Sequence, residues 1–402
     1  MICLTEYMNI DIATDNPAFP SMPVSQADPL AGYLAHQVEI DAAIARVLSS
    51  GSYLLGEETR AFEAEFAHFV EPDAGGQQVN HGVAVANGTD ALRLALQACG
   101  VGQAAGDVIG ADEVIAPSFT ATATIAAICQ SGATPVFADI DLATYTLDPQ
   151  CVRAALTPRT KAIVAVHLYG HPAPLAELQA IAAEHGLHLI EDCAQAHGAT
   201  WAGKPVGSVG NAAAFSFYPT KNLAALGDAG MIVTHDARVA EQARLLRMYG
   251  WRQRYVSDIE GWNSRMDELQ AAILRVKLRH LLEENARRQA IARYYLEQLA
   301  DLPIGLPVTL PGCTHVYHQF VIRSAERDRL AADLKQQHIA TAIHYPAPVH
   351  LQPAYARHVR GRLPHSEQAA REVLSLPAYP QLTDAQVERV AAAVQHYFEQ
   401  RH

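Results

Sequence analysis

The chain has 402 residues, of which 50% are hydrophobic and 18% charged, with a formal net charge of -12. That balance supports a large folded core and excludes a disordered chain, while the negative charge excludes nucleic acid, whose phosphates need clustered Lys and Arg. No apolar run approaches the roughly 18 residues of a membrane span, and Glu6 and Asp11 interrupt any N-terminal signal segment.

Six cysteines (Cys3, Cys99, Cys129, Cys151, Cys193, Cys313) are scattered without metal-type spacing. They read as reduced thiols, so the expectation is a cytoplasmic protein with no metal and no membrane partner. Residues 1–35 lack a period and read as an irregular lead-in. Ile40, Ile44, Val47 and Leu48 mark one face of a helix that Gly51 can end, and Phe62, Phe66, Phe69 and Val70 mark a second.

From residue 82 short apolar runs alternate with helical stretches. Val83–Ala86, Glu113–Ala116, Thr134–Ala138, Ala162–Leu168, Leu187–Glu191, the Ala212–Phe217 segment and Met231–Val233 are the strand candidates. Thr120–Ser131 reads as a helix, and Asp148-Pro149 as an N-cap with the first helical residue. Strands alternating with helices predict βαβ units, an α/β fold with a mostly parallel sheet covered on both faces. This large domain is expected over residues 36–265. Residues 266–402 then form a linker helix, Met266 to about Leu299, and a smaller α+β domain. Its strand candidates are Val321-Ile322 and Ile339–Ile343, and it closes on a helix over Thr383–Tyr397.

Ligands of such sheets sit beyond the carboxyl ends of the strands, and three features fall there. Asn87-Gly88-Thr89-Asp90 turns a strand into a helix, where free N–H groups and the helix dipole suit a phosphate; an ordinary helix cap uses the same residues. Asp192 ends the apolar run Leu187–Glu191, where a carboxylate is costly without a cation or a helix to cap. Lys221 follows the strand-breaking Pro219, with the Ser216 hydroxyl five residues earlier. Lysine is seldom buried; desolvation lowers its pKa and frees the lone pair for attack on a carbonyl, although an isolated lysine more often snorkels to solvent. A reactive lysine, a carboxylate for a pyridine nitrogen and a helix terminus for a phosphate are together the parts a pyridoxal phosphate enzyme needs.

These segments resemble a known family. Asn87–Leu92, Glu191–Gly198, Ser216–Leu223, Asn263-Ser264-Arg265 and His344–Pro348 are similar to the signature of the DegT/StrS-type nucleotide-sugar aminotransferases, in the same order, over about residues 40–395. The resemblance implies an aspartate-aminotransferase-like fold (fold type I) and a homodimer with shared active sites. It implies that Lys221 bonds covalently to pyridoxal 5'-phosphate and that Asp192 pairs with the pyridinium. Gln195 would lie near the ring, Gly88, Thr89 and Ser216 would hold the phosphate, and Asn263 would reach that phosphate from the neighbouring subunit. Ala121 stands where relatives usually carry an aromatic that stacks on the ring.

The resemblance implies L-glutamate as amino donor and a nucleotide-linked keto-6-deoxy sugar as acceptor. The His315–His318 and His350–Pro353 segments look most like members acting on C3 of dTDP-sugars; relatives acting at C4 share most motifs. His344, Tyr345 and His350 are the candidates for the sugar-nucleotide entrance, and a His-Tyr-Pro turn serves packing as readily. Two other enzyme classes fail on spacing. Gly100–Gly106 follows a helix and misses the dinucleotide fingerprint, and Val206–Gly210 lacks the first glycine of a nucleophile elbow. A dehydratase of the same family would carry histidine at Lys221, and a non-catalytic binding or regulatory protein on this fold would not need Lys221, Asp192 and Ser216 together.

Overall fold

The computed structural model describes residues 23–72, 81–102 and 112–400. Its centre is a seven-stranded sheet of β1 (His81–Val85), β2 (Glu113–Pro117), β3 (Thr134–Ala138), β4 (Thr160–Val166), β5 (His188–Asp192), β6 (Ala212–Ser216) and β7 (Gly230–Thr234). The order across the sheet is β1-β7-β6-β5-β4-β2-β3, with β7 antiparallel to both its neighbours and the other pairings parallel. This is the mostly parallel α/β sheet expected.

The two-residue period of each strand sorts its side chains between two cores. Val164, Val166, Ile190, Ala212 and Ala214 join one, under the helices Gly88–Ala98, Thr122–Gln130 and Ala237–Leu246. Ile163, Ala165, Leu189, Ala213 and Phe215 join the other, against the helices Glu57–Val70, Leu175–His185 and Glu268–Leu278. On β5 this alternation sends Ile190 to the first core and Leu189 to the second, so Asp192 and Glu191 also leave the strand on opposite faces. Gly51 ends the helix Gln37–Ser50 in the left-handed region, and Asp148 caps Pro149–Ala155, both as the residue pattern predicts.

Three expectations change. Residues 29–34, inside the stretch expected to be irregular, form a helix because Asp28 accepts the Ala31 N–H and Pro29 starts it; residues 1–22 lie outside the described residues. The single helix expected from Met266 to Leu299 is two, Glu268–Leu278 and Leu281–Gln298, broken at Arg279-His280. The segment Ile339–Ile343 is not a strand. It makes only isolated bridges, Val24 to Ile339 and Ala342 to Ser375, since its neighbours meet it at single residues.

The packing changes soon after the break at 279–280, with Leu281 still in the core beneath the large sheet. Met266, Ala271 and Leu274 pack beneath the large sheet, whereas Ile291, Ala292 and Tyr295 join a third core with β8 (Phe320–Arg323), β9 (Val373–Leu376) and the helix Asp384–Glu399. Strands β8 and β9 pair antiparallel, and Thr383 with Gln386 forms a capping box on the last helix.

Candidate active site

A cavity of about 350 Å³ opens at the carboxyl ends of β4, β5 and β6. Its wall includes Gly88, Thr89, Asp192, Gln195, Ser216 and Lys221, with His344 and Tyr345 from the smaller unit. The three strand-end features separated by over a hundred residues of sequence therefore meet in one place.

Gly88 starts its helix under the Asn87 cap, whose Oδ1 accepts the Asp90 N–H at 2.8 Å. A Cβ on Gly88 would lie 2.4 Å from the Ser216 Cβ, so glycine is required for the helix terminus to close on β6. The outcome is a helix N-terminus beside a hydroxyl, the arrangement that binds a phosphate.

Asp192 is buried, and its Oδ2 accepts from Thr124 Oγ1 at 2.9 Å while its Oδ1 accepts from the Ala194 N–H at 3.2 Å. Burial pushes its carboxyl above the ordinary range; Thr124, Ala194 and the nearby Lys221 charge oppose that rise. Both hydrogen-bond donors are neutral, so the site has room for one more cation against this carboxylate. Lys221 faces the same cavity, and burial lowers its amine to about 8, with the Asp192 charge pulling the other way.

Gln195 is held at both ends. Its Oε1 accepts the Tyr169 N–H at 2.7 Å and its Nε2 donates to Tyr345 Oη at 3.0 Å. Tyr169 sits at φ 59°, a left-handed conformation uncommon outside glycine, and its hydroxyl donates to the His344 carbonyl. Burial raises the Tyr345 phenol to about 12, partly offset by Gln195, and lowers the His344 imidazole to about 4, so both stay neutral near pH 7.

Two site candidates lie elsewhere. Asn263 is exposed and is not on the wall of its own chain's cavity. His350, expected at the entrance, is buried behind it: the turn Val349–Leu351 docks on the end of β2, where Nδ1 lies 2.6 Å from Ser118 Oγ and Nε2 faces Glu367 at 3.6 Å. Sequence reasoning missed Thr124, Tyr169 and Gln319, and named His318 only within the His315–His318 segment. Thr124 carried a signal in the expected helix Thr120–Ser131; in the structure Thr120 lies just before the helix Thr122–Gln130, and the two hydroxyls bond at 3.0 Å. Ala121 lines the cavity as an aromatic-free wall, and the aromatic rings present are those of Tyr218, His318, His344 and Tyr345.

These residues fit pyridoxal phosphate. A buried carboxylate lacking a hydrogen-bonded cation suits the pyridinium, a glycine-enforced helix terminus suits the phosphate, and a desolvated amine suits the aldehyde. Comparison with known proteins agrees. The chain is 50% identical over 372 residues to dTDP-3-amino-3,4,6-trideoxy-alpha-D-glucose transaminase of Streptomyces venezuelae, covering 92% of this chain and 94% of the relative. Among solved structures it is similar to S. venezuelae DesV in complex with a ketimine intermediate, with a TM-score of 0.89 and 49% identity over 94% of this chain and 99% of that one. It is also similar to NtdA from Bacillus subtilis with bound cofactor PMP, with a TM-score of 0.85 and 30% identity over 96% of this chain and 87% of that one. Residues 35–395 match the profile of the DegT/DnrJ/EryC1/StrS aminotransferase family, and the chain belongs to that family of pyridoxal phosphate-dependent enzymes.

Proposed function

We propose that this enzyme moves the amino group of L-glutamate to the C3 keto carbon of a dTDP-linked 3-keto-6-deoxyhexose. The observation that carries the aminotransferase chemistry is the buried Asp192, without a hydrogen-bonded cation, sharing one cavity with the desolvated Lys221 amine. Pyridoxal phosphate, when bound, supplies the ring that takes up carbanion electrons. Asp192 would hold positive charge at the ring nitrogen, and Gly88, Thr89 and Ser216 would hold the phosphate. Lys221 Nζ, as a free amine, moves the proton between carbons on one face of the substrate. Gln195, braced by Tyr169 and Tyr345, limits the sideways movement of the ring.

The preference for C3 and for a dTDP-sugar rests on the half-identical Streptomyces relative, whose name records a 3-amino sugar. His344 and Tyr345 remain as the residues offered to the sugar, since they line the cavity; His350 does not line it and instead contacts Ser118 and Glu367. The reading includes a homodimer with shared sites, as the family resemblance implies; Asn263, exposed and absent from the wall of its own chain's cavity, is compatible with a place in a neighbour's site. No described helix is long and apolar enough to cross a membrane, and the free cysteines among the described residues suit a reducing, cytoplasmic setting.

The test is a panel of 3-keto and 4-keto nucleotide sugars with glutamate, following 2-oxoglutarate release. Turnover of the dTDP-linked 3-keto sugars is expected. Turnover confined to 4-keto sugars would move the amination to C4, and release with none of them would sink the sugar assignment.

A further inference from the structure

His318 lies on the wall of the catalytic cavity, just before β8, and is buried. Behind it runs a chain of amides. Its Nδ1 lies 3.2 Å from Oδ1 of Asn222, the residue that follows Lys221. Asn222 Nδ2 donates to the Val316 carbonyl at 3.0 Å and to Asn285 Oδ1 at 2.8 Å, and Asn285 Nδ2 donates to the His197 carbonyl at 2.8 Å. Both asparagines are buried.

The two backbone carbonyls settle every hydrogen in this chain, because a carbonyl oxygen only accepts. Val316 and His197 require the NH₂ ends of Asn222 and Asn285 to face them, so Asn222 turns its oxygen toward His318. That oxygen also only accepts, and the hydrogen must therefore sit on His318 Nδ1. Burial, with the Lys221 and Arg288 charges near by, pushes the imidazole well below its ordinary range, so the ring stays neutral. A neutral ring with its hydrogen on Nδ1 has a bare lone pair on Nε2. Among the described residues nothing bonds to Nε2, which leaves it to the cavity.

We propose that His318 selects the acceptor sugar by taking, at Nε2, the hydrogen of a hydroxyl on a carbon beside the keto group. The assignment rests on the sugar acceptor proposed above and adds the atom that reads it. A lone pair repels a carboxylate and accepts from an O–H, so Nε2 suits the sugar and disfavours the glutamate carboxylates that visit the same cavity. A deoxy carbon at that place would leave Nε2 desolvated and unpaired, the condition under which a polar site rejects a nearly identical substrate. Asn222 and Asn285 are positioning residues. Because Asn222 follows Lys221, the amide that orients the His318 ring also ties it to the loop carrying the reactive amine.

The test compares kcat/KM of the cofactor-loaded enzyme for a dTDP-3-keto-6-deoxyhexose and for its 2-deoxy and 4-deoxy analogues, in the parent and in His318→Asn. Asparagine keeps an N–H for Asn222 and removes the Nε2 acceptor. The parent should prefer the full sugar over one of the analogues by about tenfold or more, and His318→Asn should lose that preference; a purely structural role would lower all the rates together. His318→Gln, whose side-chain oxygen reaches near the Nε2 position, should retain more of the preference than His318→Asn. A second measurement needs no sugar. Nitrogen NMR of enzyme made with isotope-labelled histidine, with the His318 signals identified by their loss in His318→Gln, should show hydrogen on Nδ1 and none on Nε2 at neutral pH. Hydrogen on Nε2, or a preference identical in the parent and His318→Asn, would overturn the assignment. Turnover of none of these sugars would instead strike the sugar reading on which it rests, and the NMR result tells the two failures apart.

Discussion

Lys221 must be unprotonated before it can bond to an aldehyde, and its surroundings set how often that is so. With the amine lowered to about 8, roughly one chain in ten holds it free at pH 7, against fewer than one in a thousand for a solvated lysine. The rate at which cofactor-free protein takes up pyridoxal phosphate should therefore rise about tenfold per pH unit below 8 and level off above it, which stopped-flow absorbance can follow. Asp192 acts through charge. In Asp192→Asn the Thr124 hydroxyl keeps a partner but the ring nitrogen loses its counter-charge, so kcat should fall by about 10²–10³ with the fold intact on circular dichroism. Both residues were named from the chain alone: Asp192 because a carboxylate ending an apolar strand has a cost that something must offset, Lys221 because a lysine among small apolar residues past Pro219 is seldom placed there without a reason. The settings of Tyr169 and His350 were not legible there. The backbone of one is held by Gln195 and the ring of the other by Ser118, contacts spanning 26 and 232 residues that no local pattern encodes.

Two buried glutamates organise elements in the same way as Asp192 organises the site. Glu268, at the start of its helix, accepts the backbone N–H groups of Gly56, Glu58 and Thr59 at 2.7, 2.9 and 2.9 Å, and so caps a different helix, Glu57–Val70. Glu268→Gln keeps one acceptor and loses the charge against that helix N-terminus; a loss of about 2 kcal/mol in denaturant unfolding is expected. Glu191 leaves β5 on the face opposite Asp192 and gathers the Gly207, Val209 and Gly210 N–H groups together with His167. Burial alone would raise its carboxyl, but these donors leave it below its ordinary value. Its contribution is thus present above the unfolded carboxylate range and is lost as acid protonates the folded group. Strand alternation revealed both faces of β5. The break at Arg279-His280 stayed hidden, since neither proline nor glycine marks it; both residues there pair with Glu39, some 240 positions earlier.

For the whole molecule, the proposed shared site makes a prediction that no single chain can satisfy. A mixture of Lys221→Ala and Asn263→Ala proteins, refolded together, contains dimers in which one site draws its lysine and its asparagine from different partners. Random pairing makes about half the dimers mixed, each with one complete site, so turnover should recover to about a quarter of the wild-type value although Lys221→Ala alone is inert. Sites confined to one chain would give no such recovery beyond the activity of Asn263→Ala itself. The α/β class and its mostly parallel sheet could be read from the alternation of short apolar runs with helices, whereas the order of the strands and the meeting of the two units around His344, Tyr345 and Gln319 depend on how the elements dock.

One such long connection has a consequence for the making of the protein. Val24 pairs with Ile339, and Gln26 Nε2 donates to Gln319 Oε1 at 2.6 Å across 293 residues. A growing polypeptide exposes the early half of that pairing long before the ribosome has produced the later half. The large sheet can assemble during synthesis, but the chamber's Gln319 side gains its brace only near the end of translation. Prematurely terminated products would then carry Lys221 and Asp192 yet lack the Gln319 side of the chamber.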